Sequence, residues 1–435
     1  MTRFKIILVC FILLIGLMLR LHNYATYPQR GASSDEYTYA FLGMSLLTDH
    51  VPTSWSAFTA YKSVRHLTID NLYFPIVSPY FDHPPFNGIV VAGWSMLFGE
   101  DSFEEISLHT IRLVPIFLSM LSSLLVFFLG LRLYDFKTAT WALLIYSTAT
   151  IFVMNGRVVF AENLLTPLLL LSVYLFLTFK KQLTIKKVLL LSLLCGLSFW
   201  TKELGIITFL SMLYLFMSEK IKRKHTMVLV VVSLAIVLSY IVYGIYYDKD
   251  VFFQILFSQA DRDIGPKTVF YLLSTPIIVN KVFLDGWYFF GLLSFLFSFS
   301  EYPKNKLLLV PSSFYFLLLV FSLTQQGEMG WYMIPLFPFM ALSSARALVE
   351  SLKKGSWFIF VLLLFVALPA LKLTYEVMFG LTGFQFRIFM ILIFAPFILF
   401  KLFHKEEAFR TWGNMWFYLL ILITMFITYT YIHPA

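Results

Sequence analysis

The chain has 435 residues, of which 59% are hydrophobic, 19% aromatic and only 13% charged, with a formal net charge of +9. Soluble domains carry about 25% charged residues, so the composition excludes a soluble fold and points to a polytopic membrane protein. The basic excess then concerns membrane orientation and not nucleic acid, and Cys10 and Cys195, both inside apolar segments, give no disulfide framework.

Apolar runs of about 17–25 residues mark spans. In chain order they are 4–21, 111–133, 138–154, 158–179, 187–201, 203–218, 226–246, 286–300, 307–323, 332–348, 357–374, 386–402 and 414–432. The expected fold class is therefore an all-α polytopic membrane protein with about 13 transmembrane helices. No small-residue cleavage site follows the first run, which reads as a retained helix. The fifth and sixth runs are short and meet at Trp200-Thr201-Lys202-Glu203, a tight hairpin with a polar tip. Two apolar stretches, 86–98 and 268–279, are too short to cross and fit interfacial helices in the first and second long loops.

Basic residues set the orientation. With the N-terminus inside, 20 of the 33 Lys and Arg fall on the inner side against 6 of the 24 acids. That asymmetry is what the positive-inside rule requires, and shifting the count by one span destroys it. The expected location is the cytoplasmic membrane of a prokaryote, with the N-terminus cytoplasmic and the long loops, 22–110 and 247–285, outside. No internal repeat is visible, which disfavours inverted-repeat transporters.

Polar residues near lipid are costly and usually functional, and here they fall on one side. Asp35 and Glu36 follow span 1, Asp82 and His83 lie in the same loop, and Arg157 and Glu162 open span 4. Lys202 and Glu203 form the hairpin tip, Arg262 lies in the second loop, and Trp331-Tyr332 begins span 10. Such a set suits glycosyl transfer. A carboxylate deprotonates an acceptor hydroxyl, while basic groups hold a lipid-borne phosphate and stabilise its charge as it leaves. Each group also has a plainer reading. Asp35-Glu36 suits the first turn of a helix, and Pro84-Pro85 a rigid helix entry. Arg157 and Glu162, about 500° of helical rotation apart, share a face only loosely. Trp331-Tyr332 suits an aromatic belt, and Asp261-Arg262-Asp263 a solvated loop.

Several ordered segments resemble the membrane glycosyltransferases of the C-type superfold, in particular the protein O-mannosyltransferase and lipid A aminoarabinose transferase group. They are Asp35-Glu36-Tyr37, His83-Pro84-Pro85, Phe98-Gly99-Glu100 leading to Ile111-Arg112-Leu113-Val114-Pro115, Gly156-Arg157 with Glu162, Thr201-Lys202-Glu203-Leu204-Gly205, and Trp331-Tyr332 with Pro335 and Pro338. The resemblance implies an inverting transferase that uses a polyprenyl-phosphate-linked sugar on the extracytoplasmic face. By position, Asp35 matches the catalytic carboxylate with Glu36 beside it, and Glu162 a second acid that is commonly Asp. Lys202 matches a basic residue near the donor phosphate, His83 a Lys or His before two prolines, and Tyr332 an aromatic cavity wall. Glu203 departs from the family, placing an extra carboxylate where glycine is usual. The chain has no room for a large inserted luminal domain.

The sequence therefore leads us to expect one glycosyltransferase domain, 1–435, with 1–220 as the catalytic module and 221–435 completing the cavity. The partners expected are a polyprenyl-phosphate sugar donor, a lipid or envelope-glycan acceptor and membrane lipid. Asp35, Glu36 and Glu162 are the expected catalytic residues, and His83, Arg157, Lys202, Arg262 and Tyr332 the donor-binding ones. The cofactor is left open. Asp35, Glu36 and Asp82 supply the hard oxygen ligands a divalent cation would take, yet no spacing demands one. The alternatives are a flippase of lipid-linked saccharides, a protein O-mannosyltransferase, or a non-catalytic relative.

Overall fold

The computed structural model describes residues 2–69, 71–261, 263, 265–323, 330–378, 380 and 382–434. The chain opens with α1 (Arg3–Leu21) and α2 (Asp35–Thr48), then three short strands, β1 (Ser54–Trp55), β2 (Ser63–Ile69) and β3 (Leu72–Val77). Next come α3 (Phe86–Met96), α4 (Leu108–Ile111), α5 (Leu113–Leu133), α6 (Phe136–Thr148), α7 (Thr150–Asn155), α8 (Ala161–Phe179), α9 (Ile185–Thr201), α10 (Ile206–Ser218) and α11 (Arg223–Ala260). Beyond α12 (Lys267–Ser274) and the strand pair β4 (Ile277–Ile278) and β5 (Lys281–Val282) lie α13 (Gly286–Phe297), α14 (Tyr302–Val320) and α15 (Phe337–Lys354). The chain finishes with α16 (Phe358–Leu362), α17 (Leu368–Met378), α18 (Gly383–Leu402) and α19 (Glu406–Thr430).

Helix occupies all of the apolar segments read as spans. Seven of the described helices are long and apolar enough to cross a membrane by length and composition. Their exposed side chains are those of a lipid-facing surface: Phe4, Ile7, Phe11 and Met18 on α1, and Ile391, Leu392 and Leu402 on α18. The two short apolar stretches are helical as α3 and, in part, as α12, which ends at Ser274 before β4. The all-helical expectation needs correction in both long loops: the first contains an antiparallel sheet of order β1-β3-β2, with Ser54 opposite Val77 and Leu67 opposite Phe74, and the second the antiparallel pair β4-β5.

A single apolar core runs through the bundle from Leu125 to Ile421, so both halves of the chain share it. A second cluster caps one end and combines Tyr37, Tyr39 and Phe41 of α2 with Phe74 and Ile76 of β3, Val91 of α3 and Val159. All residues from Glu36 to Ser45 are buried, which is why α2 is not amphipathic; helices apolar on every side are interior ones. Its packing on α3 is a backbone-to-backbone approach. A Cβ built on Gly43 would stand 1.9 Å from the Gly88 carbonyl oxygen, so only glycine fits.

Helix α11 breaks at Asp248, whose backbone is extended at φ −164°, ψ 102°. The Asp248 carboxylate accepts the backbone N–H groups of Asp250 and Val251, both at 3.0 Å, and so starts a second helical segment. That segment crosses the α2 end of the molecule, where the Gln259 side chain donates to the Asp82 carbonyl at 2.7 Å. At the opposite end, Glu219 joins Lys180 (3.2 Å) to Lys306 (2.5 Å), and Arg346 pairs with both Glu301 and Glu350.

Candidate active site

The site forms where α2, the start of α8 and the α9–α10 junction meet. Helix α8 begins at Ala161, which places Glu162 in its first turn, a favourable position for a carboxylate. Lys202 leaves α9 in extended backbone, φ −162°, before the tight turn Glu203–Gly205. A Cβ on Gly205 would lie 1.8 Å from the Ser198 carbonyl oxygen, so the turn closes only with glycine. This geometry brings the Lys202 ammonium 2.5 Å from Glu162 Oε1 with both side chains buried. The same ammonium sits 4.2 Å from the Tyr332 ring centroid, a cation–π contact. Tyr332 is held in turn by its carbonyl, which accepts from the Tyr315 hydroxyl at 2.9 Å, and its neighbour Trp331 stacks on Phe160 with centroids 4.5 Å apart.

Asp35, at the first turn of α2, lies within electrostatic reach of this pair. Burial raises its carboxyl to about 6, the nearby Lys202 pulls it down in part, and Glu162 and Glu36 push it up again. Glu36, the next residue, is engaged differently. Its two oxygens accept from Arg112 Nε (2.8 Å) and Nη2 (2.7 Å), and Oε1 also accepts the Val159 N–H at 3.2 Å. Arg112 Nη1 meanwhile donates to the carbonyls of Tyr24 and Pro28, at 2.9 and 2.7 Å. Glu36 thus clamps α2 to α5 and to the approach of α8, which leaves Asp35 as the acid turned to the Lys202 pair.

The other expected residues divide. The His83 ring stacks on Tyr39, 5.2 Å between centroids at 24°, one turn along α2 from Asp35. Asp82 is committed to packing: its carboxylate accepts from the Ser56 hydroxyl (2.6 Å) and the Tyr61 hydroxyl (2.9 Å). With Glu36 held by Arg112, the trio Asp35, Glu36 and Asp82 does not assemble around a cation. Among the described residues no three His, Cys, Asp or Glu side chains gather as a ligand set. Arg157 is not on the helix that carries Glu162, a correction to the shared-span reading. It lies before α8, 1% exposed, and its two Nη groups donate to the carbonyls of Leu19, in the last turn of α1, and Tyr27, in the loop beyond it. Arg262 lies outside the described residues.

Two contributors were missed by sequence reasoning. Arg112 is one: a lone arginine at the mouth of an apolar run asks for a carboxylate partner, and here that partner is Glu36. Tyr39 sits at i+4 from Asp35, the spacing that puts two residues on one helix face, and that signal was readable. Glu203 is also near the site: it acts electrostatically on the Tyr39 and Tyr240 hydroxyls.

Residues 82–243 match the sequence profile of the dolichyl-phosphate-mannose-protein mannosyltransferase family. A comparison with curated protein sequences finds no match. Among solved structures, the chain is similar to ArnT from Cupriavidus metallidurans bound to undecaprenyl phosphate, with TM-score 0.57 and 12% identity over 99% of this chain and 78% of that one. It is also similar to the archaeal oligosaccharyltransferase AglB from Archaeoglobus fulgidus in complex with an inhibitory peptide and a dolichol-phosphate, with TM-score 0.53 and 14% identity over 97% of this chain. The chain spans only 56% of that archaeal protein's length. At such identities the likeness is one of fold. The chain therefore has the fold of the C-type membrane glycosyltransferases, and the stretch that carries His83, Glu162 and Lys202 is the one that matches the mannosyltransferase profile.

Proposed function

We propose that the protein transfers one sugar from a polyprenyl-phosphate donor to a membrane-borne acceptor, a lipid or envelope glycan, at the end of the bundle where Asp35 lies. The observation that carries this reading is the buried Glu162–Lys202–Tyr332 cluster facing Asp35. An ammonium has three N–H donors; one goes to Glu162, and the others are available to a phosphate oxygen. Asp35, ionised at neutral pH, takes the proton of an acceptor hydroxyl as its oxygen attacks the anomeric carbon. The bond from that carbon to the phosphate oxygen breaks, and its electron pair leaves with the lipid phosphate. Lys202 offsets the charge that develops there. Attack opposite the leaving phosphate inverts the anomeric centre. Glu36 acts through Arg112 as a positioning residue, while His83 braces Tyr39 and Tyr332 braces the Lys202 ammonium.

Two apolar grooves support lipid substrates. One, of about 430 Å³, runs between α10 and α14 along Ile207, Leu210, Leu213, Met217, Phe314 and Leu317. Its α10 end starts one turn after the Lys202 junction, so a phosphate held at Lys202 can lay its prenyl chain there. The second, of about 450 Å³, lies between α3 and α5 along Val90, Trp94, Val114 and Phe117, beside the helix that His83-Pro84-Pro85 introduces; it suits an acceptor's acyl chain. A protein acceptor is the second reading, favoured by the mannosyltransferase profile match over residues 82–243.

The test is transfer of label from a radiolabelled polyprenyl-phosphate sugar in membranes that carry the protein. Label in the organic or glycan fraction is expected. Label confined to protein establishes the second reading, and no transfer from any such donor overturns both.

A further inference from the structure

Glu162 is 0% exposed, and while Oε1 holds Lys202, its other oxygen, Oε2, has no hydrogen-bond partner. A buried carboxylate oxygen left without a donor is costly and rare in a native structure. The hydroxyl of Tyr39 is the complementary group. Its ring is 1% exposed and fixed on His83, and it projects from the same face of α2 as Asp35. No hydrogen bond of that hydroxyl is made among the described residues. Burial, followed by Glu162, Asp35, Tyr332 and Glu203, holds the phenol well above its ordinary pKa, so it stays a proton donor at any working pH.

We infer that Glu162 and Tyr39 together read a ring hydroxyl of the donor's sugar, Glu162 Oε2 accepting its proton and the Tyr39 hydroxyl donating to its oxygen. A sugar hydroxyl is the simplest group that satisfies both, because it donates and accepts through one atom. A hydrogen or a methyl at that ring carbon leaves the buried Glu162 Oε2 unpaired. Sites built to bond a substrate hydroxyl reject analogues that lack it by factors of about 10⁴–10⁵. The pair thus makes the site selective for a hydroxylated sugar rather than merely permissive of any lipid phosphate. This inference rests on the donor chemistry proposed above.

The test is equilibrium binding to the full chain in lipid nanodiscs, with bare polyprenyl phosphate and a panel of polyprenyl-phosphate-linked pentoses and hexoses as probes. The wild type is expected to bind at least one sugar-linked probe about tenfold or more above the bare lipid phosphate. Tyr39→Phe keeps the ring on His83, so its thermal unfolding should match the wild type. It is expected to lose about tenfold or more on the preferred sugar-linked probe and less than about twofold on the bare phosphate. A monodeoxy version of the preferred probe should bind the wild type at least as weakly as the parent sugar binds Tyr39→Phe, because it forgoes the bonds to both residues. Equal losses on both probes, no loss at all, or no deoxy analogue that matters each overturn the inference. If the wild type binds neither bare nor sugar-linked lipid phosphate, the donor reading itself fails.

Discussion

Asp35 and Glu36 are adjacent and chemically alike, yet their surroundings separate them. Glu36 meets a guanidinium on both oxygens and a backbone N–H besides, whereas Asp35 has only the partial pull of Lys202 against burial and two neighbouring acids. One carboxylate holds structure and the other is raised to about 6. A general base works in its ionised form, so protonation of Asp35 as the pH falls removes activity. We expect kcat/KM to be level at neutral pH and to fall about tenfold per pH unit below about 6. An unperturbed aspartate would hold activity down to about 4. The measurement is the pH profile of kcat/KM between about pH 4.5 and 8; a profile still flat at about pH 5 removes Asp35 as the base. The resemblance singles out Asp35, but the residue types and their place beside lipid give no physical ground for ranking the two acids. The partner that decides, Arg112, stands 76 residues from Glu36, and its pairing depends on tertiary structure.

At the scale of elements, α2 brings Asp35 to the site and α3 backs it. Gly43 and Gly88 let the two helices touch backbone to backbone, and the Glu36–Arg112 pair fixes α2 against α5. Removing one partner of a buried ion pair leaves an uncompensated charge and costs about 3–5 kcal/mol. Glu36→Met and Arg112→Met should each lower the unfolding temperature and reduce transfer, because Asp35 shifts with α2. The double variant should recover much of the lost stability, since an apolar replacement of both partners is often near neutral. Denaturant unfolding in detergent checks this; losses that simply add in the double variant would contradict the clamp. Helix α3 was legible because 86–98 is apolar and too short to span. The β2–β3 hairpin was not, although Val64, Leu67, Ile69 and Tyr73 supply strand-prone residues and Asn71 takes the positive φ of 66° that a tight turn needs. In a chain this rich in helix, a seven-residue strand with most of its residues exposed is outweighed by the longer apolar signals around it.

For the whole molecule, apolar run length was the dependable guide, because a helix in lipid must satisfy its own backbone and so announces itself as an uninterrupted run. Helix fills the runs so located among the described residues, and seven of those helices are long and apolar enough to cross a membrane. Run length could not reveal which polar residues converge, because Asp35, Glu162 and Lys202 are drawn together by folding across a span of more than 160 residues. The charged groups also sort by task once placed. Arg157 and Asp82 tie loops and helix ends, while Lys202 and Glu162 face Asp35. Asp35 as base beside a lysine-held lipid phosphate is the centre of this account. The direct measurement is sugar transfer from a radiolabelled polyprenyl-phosphate donor by purified wild type and Asp35→Asn, with thermal unfolding recorded for both. The account predicts a fall of about 10²–10⁴-fold in the variant with an unchanged unfolding temperature; full activity in Asp35→Asn would contradict it.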